Sequence, residues 1–194
     1  ATLTINPTTT ADASASYNCV VSGTCTPSVT SNNATLVVNQ VVAITTQPAV
    51  TQTLCAGASA SFSVIATGTG LTYQWFKGSL ALTGATLANY QVASVGITDA
   101  ATNYYVIVSG SCGSPDTSVS VAVVVNSSPA ITTQPLAQTL CVGANATFTV
   151  VATGTALTYQ WRMGLVNLTN TGNISGANTA TLTLTGVSLT DAAA

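Results

Sequence analysis

The chain has 194 residues, of which only 3% are charged: Lys77 and Arg162 against Asp12, Asp99, Asp116 and Asp191, with no histidine and a net charge of −2. Ordinary soluble domains carry about 25% charged residues, so this surface is wetted by Thr, Ser, Asn and Gln, and two cations supply no basic stripe for a nucleic-acid backbone. The hydrophobic share is 47%, yet apolar runs such as residues 121–125 and 104–108 stop at five residues, whereas a membrane-spanning helix needs about 20; membrane insertion by such a helix is not expected.

Residues 1–39 read as the back half of a module. Residues 1–5 alternate apolar and polar, Asp12-Ala13 opens a corner, residues 17–21 form a strand, residues 25–32 a turn-rich loop around Pro27, and Ala34, Leu36 and Val38 line one face of a last strand. The step from Asn39 to Ile44 is short and equals the step from Asn126 to Ile131. Short, equal links restrict the angle between neighbours and favour a semi-rigid rod.

Residues 43–126 read as a complete module. Ile44 begins an edge strand that tolerates Pro48. Ala60, Phe62, Val64 and Ala66 share one face of the next strand; Leu71, Tyr73 and Trp75 share one face of the third; then come Tyr90 and Val92, a corner at Asp99-Ala100, and the strands of Tyr104, Val106 and Val108 and of Val119, Val121, Val123 and Val125. About seven short strands with turns every 8 to 12 residues or so are the requirement of a β-sandwich.

Residues 130–194 repeat that order. Leu71-Thr72-Tyr73-Gln74-Trp75 returns as Leu157-Thr158-Tyr159-Gln160-Trp161, Ile44 to Pro48 as Ile131 to Pro135, and Leu54-Cys55-Ala56-Gly57 as Leu140-Cys141-Val142-Gly143. The period is about 87 residues, the mark of an array. Phe148, Val150 and Ala152 stand for Phe62, Val64 and Ala66, and extra residues around 167–176 lengthen one hairpin. The third repeat stops short of the strand that carries the corner tyrosine, so the sequence reads as one complete and two partial repeats, a mature piece or a window of something longer. Half a sandwich exposes apolar faces and open edges, to be covered by the rest of a longer array or by strands of a neighbouring subunit.

A Trp on the third strand, an Asp-Ala corner and Tyr17 two residues before Cys19 resemble the immunoglobulin fold with its tyrosine corner. The wording of the repeat resembles the Ig-like repeats of giant secreted surface proteins of Bacteroidetes-type bacteria, and the likeness covers essentially the whole chain. It implies an all-β fold of tandem immunoglobulin-like β-sandwiches, an extracellular, cell-surface setting, and service as a stalk or filament. The chain departs from the Ig pattern where Val64 and Val106 take the places of the inter-sheet cysteines, although Cys19 keeps one of them. The core of the complete module then rests on burial of Phe62, Trp75, Tyr104 and the valines, at about 25 cal/mol per Å².

Catalysis finds little support in the residues. Without His or Glu, and with Asp12, Asp99 and Asp191 at one repeat position in separate modules, no pair of carboxylates faces one bond; those aspartates read as caps of the corner. Asp99 and Asp116 make no calcium cluster, and no metal or cofactor is expected. Lys77 as an isopeptide staple is disfavoured because Met163 replaces it in the next repeat. Trp75, Trp161, Tyr17 and Tyr104 read as core, with Tyr105 the more credible exposed aromatic. Asn33, Asn126, Asn145, Asn167 and Asn173 begin Asn-X-Ser/Thr triplets that read as polar turns.

Five cysteines with no histidine point to disulfides in an oxidising compartment: Cys19, Cys25, Cys55, Cys112 and Cys141. Cys25 matches Cys112, and Cys55 matches Cys141. In Ig topology the two classes lie at opposite ends of a sandwich, on the order of 40 Å apart at the rise of a strand, whereas a bridge needs Cα atoms within about 7 Å. A bridge between modules or between chains is the expectation. The leading reading is a structural segment of an extracellular filament or adhesin stalk, not an enzyme, whose partners are copies of itself. The alternative is an Ig-like module that binds glycans or a host or surface protein through its loops.

Overall fold

Apolar alternation becomes a hydrogen-bonded strand wherever a neighbouring strand is at hand, and the three repeats differ in whether one is. The computed structural model describes residues 1–191 and is all-β apart from two short 3-10 turns, Thr10–Asp12 and Ile97–Asp99; the close of the third repeat at 192–194 lies outside the described residues. The chain divides into two compact units, one of Ala1–Gln52, Ser59–Ala93 and Ala100–Val124, the other of Thr53–Ala58, Ser94–Asp99 and the chain from Val125 on.

In the first unit, Thr72–Lys77 lies between Leu80–Ala81 and Ala101–Ser109, and Ala101–Ser109 continues the sheet to Val121–Asn126. Asn89–Val92 pairs with Ala60–Ser63, and Ala43–Thr46 with Ile65–Thr67. The core closes between these layers: Phe62 and Val64 meet Trp75, Tyr104, Val106, Val108, Val121 and Val123, all buried. Phe62 sets the geometry, its ring 5.1 Å from Tyr104 and 5.8 Å from both Trp75 and Tyr90. Edge strand Thr51–Cys55 runs alongside Val121–Asn126. Ala122 N–H donates to the Val50 carbonyl and Ala56 N–H to Asn126, both at 2.8 Å, so the two strands rise together in parallel.

The half-module at the start of the chain keeps its own pairings, Ser14–Tyr17 with Ala34–Leu36 and Val20–Val21 with Val29–Thr30. Three expectations need correcting here. Residues 1–5 are not a strand, because the equivalent of their partner Ala60–Ser63 does not occur among the described residues. The strand expected at 17–21 is broken at Asn18 and Cys19, whereas the matching Ala101–Ser109 runs nine residues unbroken, the last six of them paired with Thr72–Lys77. The expected loop at 25–32 contains the short strand Val29–Thr30.

In the second unit, Ala130–Thr133 pairs with Val151–Thr153, and Ala146–Thr149 with Thr181–Leu184. Residues 157–161, expected as a strand, lie in no ladder. The lengthened hairpin is Arg162–Met163 with Val166–Asn167, and the extra residues fold into Ile174–Ser175, an added edge strand on Thr181–Leu184.

Candidate functional site

Three sets of residues recur at repeat positions: the corner aspartates, the links, and four of the five cysteines. At the corner, each aspartate turns its carboxylate back onto the amide three residues earlier: Thr9 N–H donates to Asp12 Oδ2 at 2.7 Å, Gly96 N–H to Asp99 Oδ2 at 2.7 Å, and Ser188 N–H to Asp191 Oδ2 at 2.8 Å. Backbone and side-chain bonds from Thr9 hold Asp12 below the usual carboxylate range, and those from Ser188 do the same for Asp191. The Tyr17 hydroxyl donates to the Asp12 carbonyl at 2.7 Å, which fixes the tyrosine to the same corner. These carboxylates are therefore engaged with backbone. Among the described residues no group of three or more His, Cys, Asp or Glu is placed to hold a metal, and no helix is long and apolar enough to cross a membrane.

The links are tied down in the same way at both joints. Gln40 N–H donates to Thr69 Oγ1 at 2.8 Å while Thr69 N–H returns a bond to the Gln40 carbonyl at 3.1 Å. Ser127 and Thr155 repeat this at 3.0 and 3.1 Å. The link passes so close that a Cβ on Gly68 would lie 3.2 Å from Val42 Cα, and one on Gly154 3.0 Å from Pro129 Cα; both glycines sit at φ +144°. These contacts were not read from the sequence. Their signal was the recurrence of polar residues in register: Thr69 with Thr155, Gln52 with Gln138, and Gln74 with Gln160. Gln52 brackets the Ser61 backbone and Gln138 the Thr147 backbone. Gln74 and Gln160 each reach a hairpin carbonyl, Leu82 and Leu168, at 2.9 Å.

Each of the five cysteines is a free thiol, with Cys19, Cys25, Cys55 and Cys141 exposed and Cys112 half-buried. Cys55 ends its strand beside the exit of the complete module, since the next residue, Ala56, bonds Asn126. Cys112 lies beside the entrance to that module: Ser111 N–H donates to Thr69, and a Cβ on Gly113 would meet Val41 Cγ1 at 3.3 Å. Cys19 occupies the place of Val106. Cys19 N–H donates to Ser31 Oγ at 2.9 Å as Val106 N–H donates to Ser118 Oγ at 3.0 Å, yet Val106 is 0% exposed and Cys19 stands open.

The aromatics split between core and surface. Trp75 is 0% exposed and donates from Nε1 to the Leu87 carbonyl at 2.9 Å. Trp161 makes the same bond to Thr179 at 2.9 Å but is only half-buried. Lys77 Nζ lies 5.5 Å from the centre of the Tyr104 ring, an engagement with its aromatic face. Tyr105 turns to the opposite face and stacks on Phe76 at 5.1 Å.

This is the architecture of tandem immunoglobulin-like β-sandwiches, and comparison with solved structures gives the same fold. Immunoglobulin domains 1–4 of Sidekick-1 superpose with a TM-score of 0.61 at 19% identity, covering 95% of this chain and 53% of that one. The titin I-band fragment I67–I69 gives 0.61 at 18%, covering 77% and 57%. Extracellular domains 3–5 of Drosophila OTK give 0.51 at 19%, covering 94% and 64%. The chain thus spans less than two thirds of the length of each. Residues 43–126 match the family described as an Ig-like domain, CHU_C associated. No curated protein matches.

Proposed function

We propose that this chain is a structural segment of an extracellular filament or adhesin stalk at a bacterial cell surface, built end to end from Ig-like modules at 1–39, 43–126 and 130–194. The observation that carries this reading is the repeated joint. Two successive links are each held to the module that follows by the same pair of bonds, Gln40 with Thr69 and Ser127 with Thr155, as befits one unit copied along an array. The resemblance of residues 43–126 to CHU_C-associated Ig-like domains supports the bacterial surface setting. Engagement of the corner aspartates with backbone supports a role other than catalysis. The exposed cysteines supply covalent links between modules or chains.

Electron microscopy of native material with and without reductant tests this. The expected result is long uniform fibres or rods that shorten or separate on reduction. Fibres indifferent to reductant would keep the filament and remove the covalent link. Compact single particles would overturn the structural reading and transfer support to a glycan- or protein-binding module.

A further inference from the structure

The two outer faces of the complete sandwich are unlike. A sheet with one face on the core and one in water alternates apolar-in and polar-out, and the strands Ala60–Ser63 and Asn89–Val92 obey: their outward residues are Ser61, Ser63, Asn89 and Gln91, all exposed. The opposite sheet does not. Trp75 and Val106 point inward and are 0% exposed, so their neighbours along each strand point out, with Phe76 opposite Tyr105 and Gln74 opposite Ile107. The outward Phe76 and Tyr105 rings stack at 5.1 Å with 7° between their planes, and both are half-buried. On the neighbouring strand the residue opposite Phe76 is Ala81, which brings only a methyl group beside that ring.

This ring pair is no requirement of the fold. Arg162 follows Trp161 where Phe76 follows Trp75, and Asn18 follows Tyr17 where Tyr105 follows Tyr104. Two amides frame the rings. Gln74 Nε2 donates to the Trp75 and Leu82 carbonyls at 2.9 Å, which leaves Oε1 to accept; in the third repeat Asn178 Nδ2 takes the matching oxygen of Gln160 at 2.9 Å. Asn103, two residues before Tyr105, is exposed, and its amide stands over Gly78, where a Cβ would lie 3.1 Å from Nδ2.

We propose that this face of the complete module binds a neutral saccharide of all-equatorial pyranose rings, which lie on the Phe76 and Tyr105 pair while their hydroxyls bond the Gln74 and Asn103 amides. The proposal goes beyond the structural reading and does not depend on it, since it concerns one face of one module. The chemistry selects the class. An aromatic face is electron-rich, and an all-equatorial pyranose presents to it a flat face of axial C–H bonds. Its hydroxyls donate to an amide oxygen and accept from an amide N–H. Among the described residues no charged side chain belongs to this face: Lys77 Nζ lies over the inward Tyr104 ring, and Asp116 accepts the Ile44 and Thr117 N–H at 2.7 and 2.8 Å. An anionic ligand would meet no cation here. Size excludes a protein partner or a second copy: a whole aromatic side chain spans about 150 to 250 Å², so two half-buried ones present under about 200 Å², whereas a stable protein interface takes about 800 Å² from each side.

The test uses the full chain, with cellohexaose as the neutral probe and β-1,4-linked hexaglucuronate as its charged counterpart, followed by backbone NMR. Cellohexaose is expected to bind saturably with an affinity on the order of millimolar, shifting the Gln74, Asn103, Tyr105 and Ile107 amides, and hexaglucuronate to leave them unmoved. The double variant Phe76→Arg, Tyr105→Asn installs the residues of the other repeats and is expected to lose affinity by at least about tenfold with an otherwise folded spectrum. Tyr105→Asn alone, expected to weaken binding in the same direction, serves where the double variant does not fold. The absence of saturable shifts with cellohexaose overturns the proposal. So do shifts confined to the loops, undiminished binding by a folded variant, or equal binding of hexaglucuronate. Self-association that the variants abolish, without a response to cellohexaose, also overturns it and gives the face to a second copy. None of these outcomes bears on the fibres or rods by which the structural reading is judged.

Discussion

Trp75 and Trp161 hold the same place in their repeats and meet different fates. Both anchor their indole N–H on a carbonyl at 2.9 Å, but only Trp75 is fully buried, opposite Val106 in the strand Ala101–Ser109. Trp75→Ala is therefore expected to destabilise the complete module by about 3 to 5 kcal/mol, and Trp161→Ala by less than about half of that, read from urea unfolding followed by hydrogen exchange in each repeat. Asp12 and Asp191 give a pH prediction. Their folded pKa lies below the ordinary value, so the corner bonds contribute fully above it and are lost as pH falls through the depressed value, below about pH 4. The Thr9 and Ser188 amide shifts should titrate there by NMR; a midpoint at or above the ordinary carboxylate value would refute the cap. The bond of Tyr17 to the corner and the corner bonds of the aspartates are local contacts within a few residues, the kind a sequence pattern can show; Tyr17 itself is only half-buried. The partners of Thr69 and Thr155 were not, because a hydroxyl that bonds a link 28 or 29 residues away in sequence leaves no local pattern.

Leu-Thr-Tyr-Gln-Trp occurs twice, and the second occurrence shows what an element requires. Residues 72–75 lie within the six-residue strand Thr72–Lys77, while residues 158–161 have the same letters and no ladder. A strand is half of a hydrogen-bonded pair, and no pairing partner for residues 158–161 occurs among the described residues. Hydrogen exchange should therefore protect the Thr72–Trp75 amides strongly and leave those of Thr158–Gln160 fast in the isolated monomer; equal protection in a monomer would contradict this account. The added edge strand Ile174–Ser175 was also hidden, since its residues alternate too briefly to announce a strand and gain their pairing only beside Thr181–Leu184. Asn170 stabilises that insertion by accepting the Ala177 N–H at 2.8 Å.

At the scale of the molecule, the same pair of bonds recurs at each link, Gln40 with Thr69 and Ser127 with Thr155. Thr69→Ala or Thr155→Ala removes the acceptor of a link amide, at a cost of about 0.5 to 1.5 kcal/mol, and leaves the module cores untouched. The expected outcome is faster hydrogen exchange at the Gln40 or Ser127 amide, with unfolding midpoints nearly unchanged. Unaltered exchange would mean that the close approach of the link at Gly68 and Gly154 holds it instead. A net charge of −2 offers little repulsion between copies.

By itself the sequence determined the all-β class, the repeat register, the apolar face of each strand and the sparsity of ionisable chemistry, since alternation, corner residues and composition are local properties. The tertiary structure alone decided which of those strands form and which thiols stand open to solvent. It also decided which of two equivalent tryptophans is buried. The physical reason is the same in each case: a face becomes core, and a strand becomes a ladder, only when residues far away in the chain are brought against it.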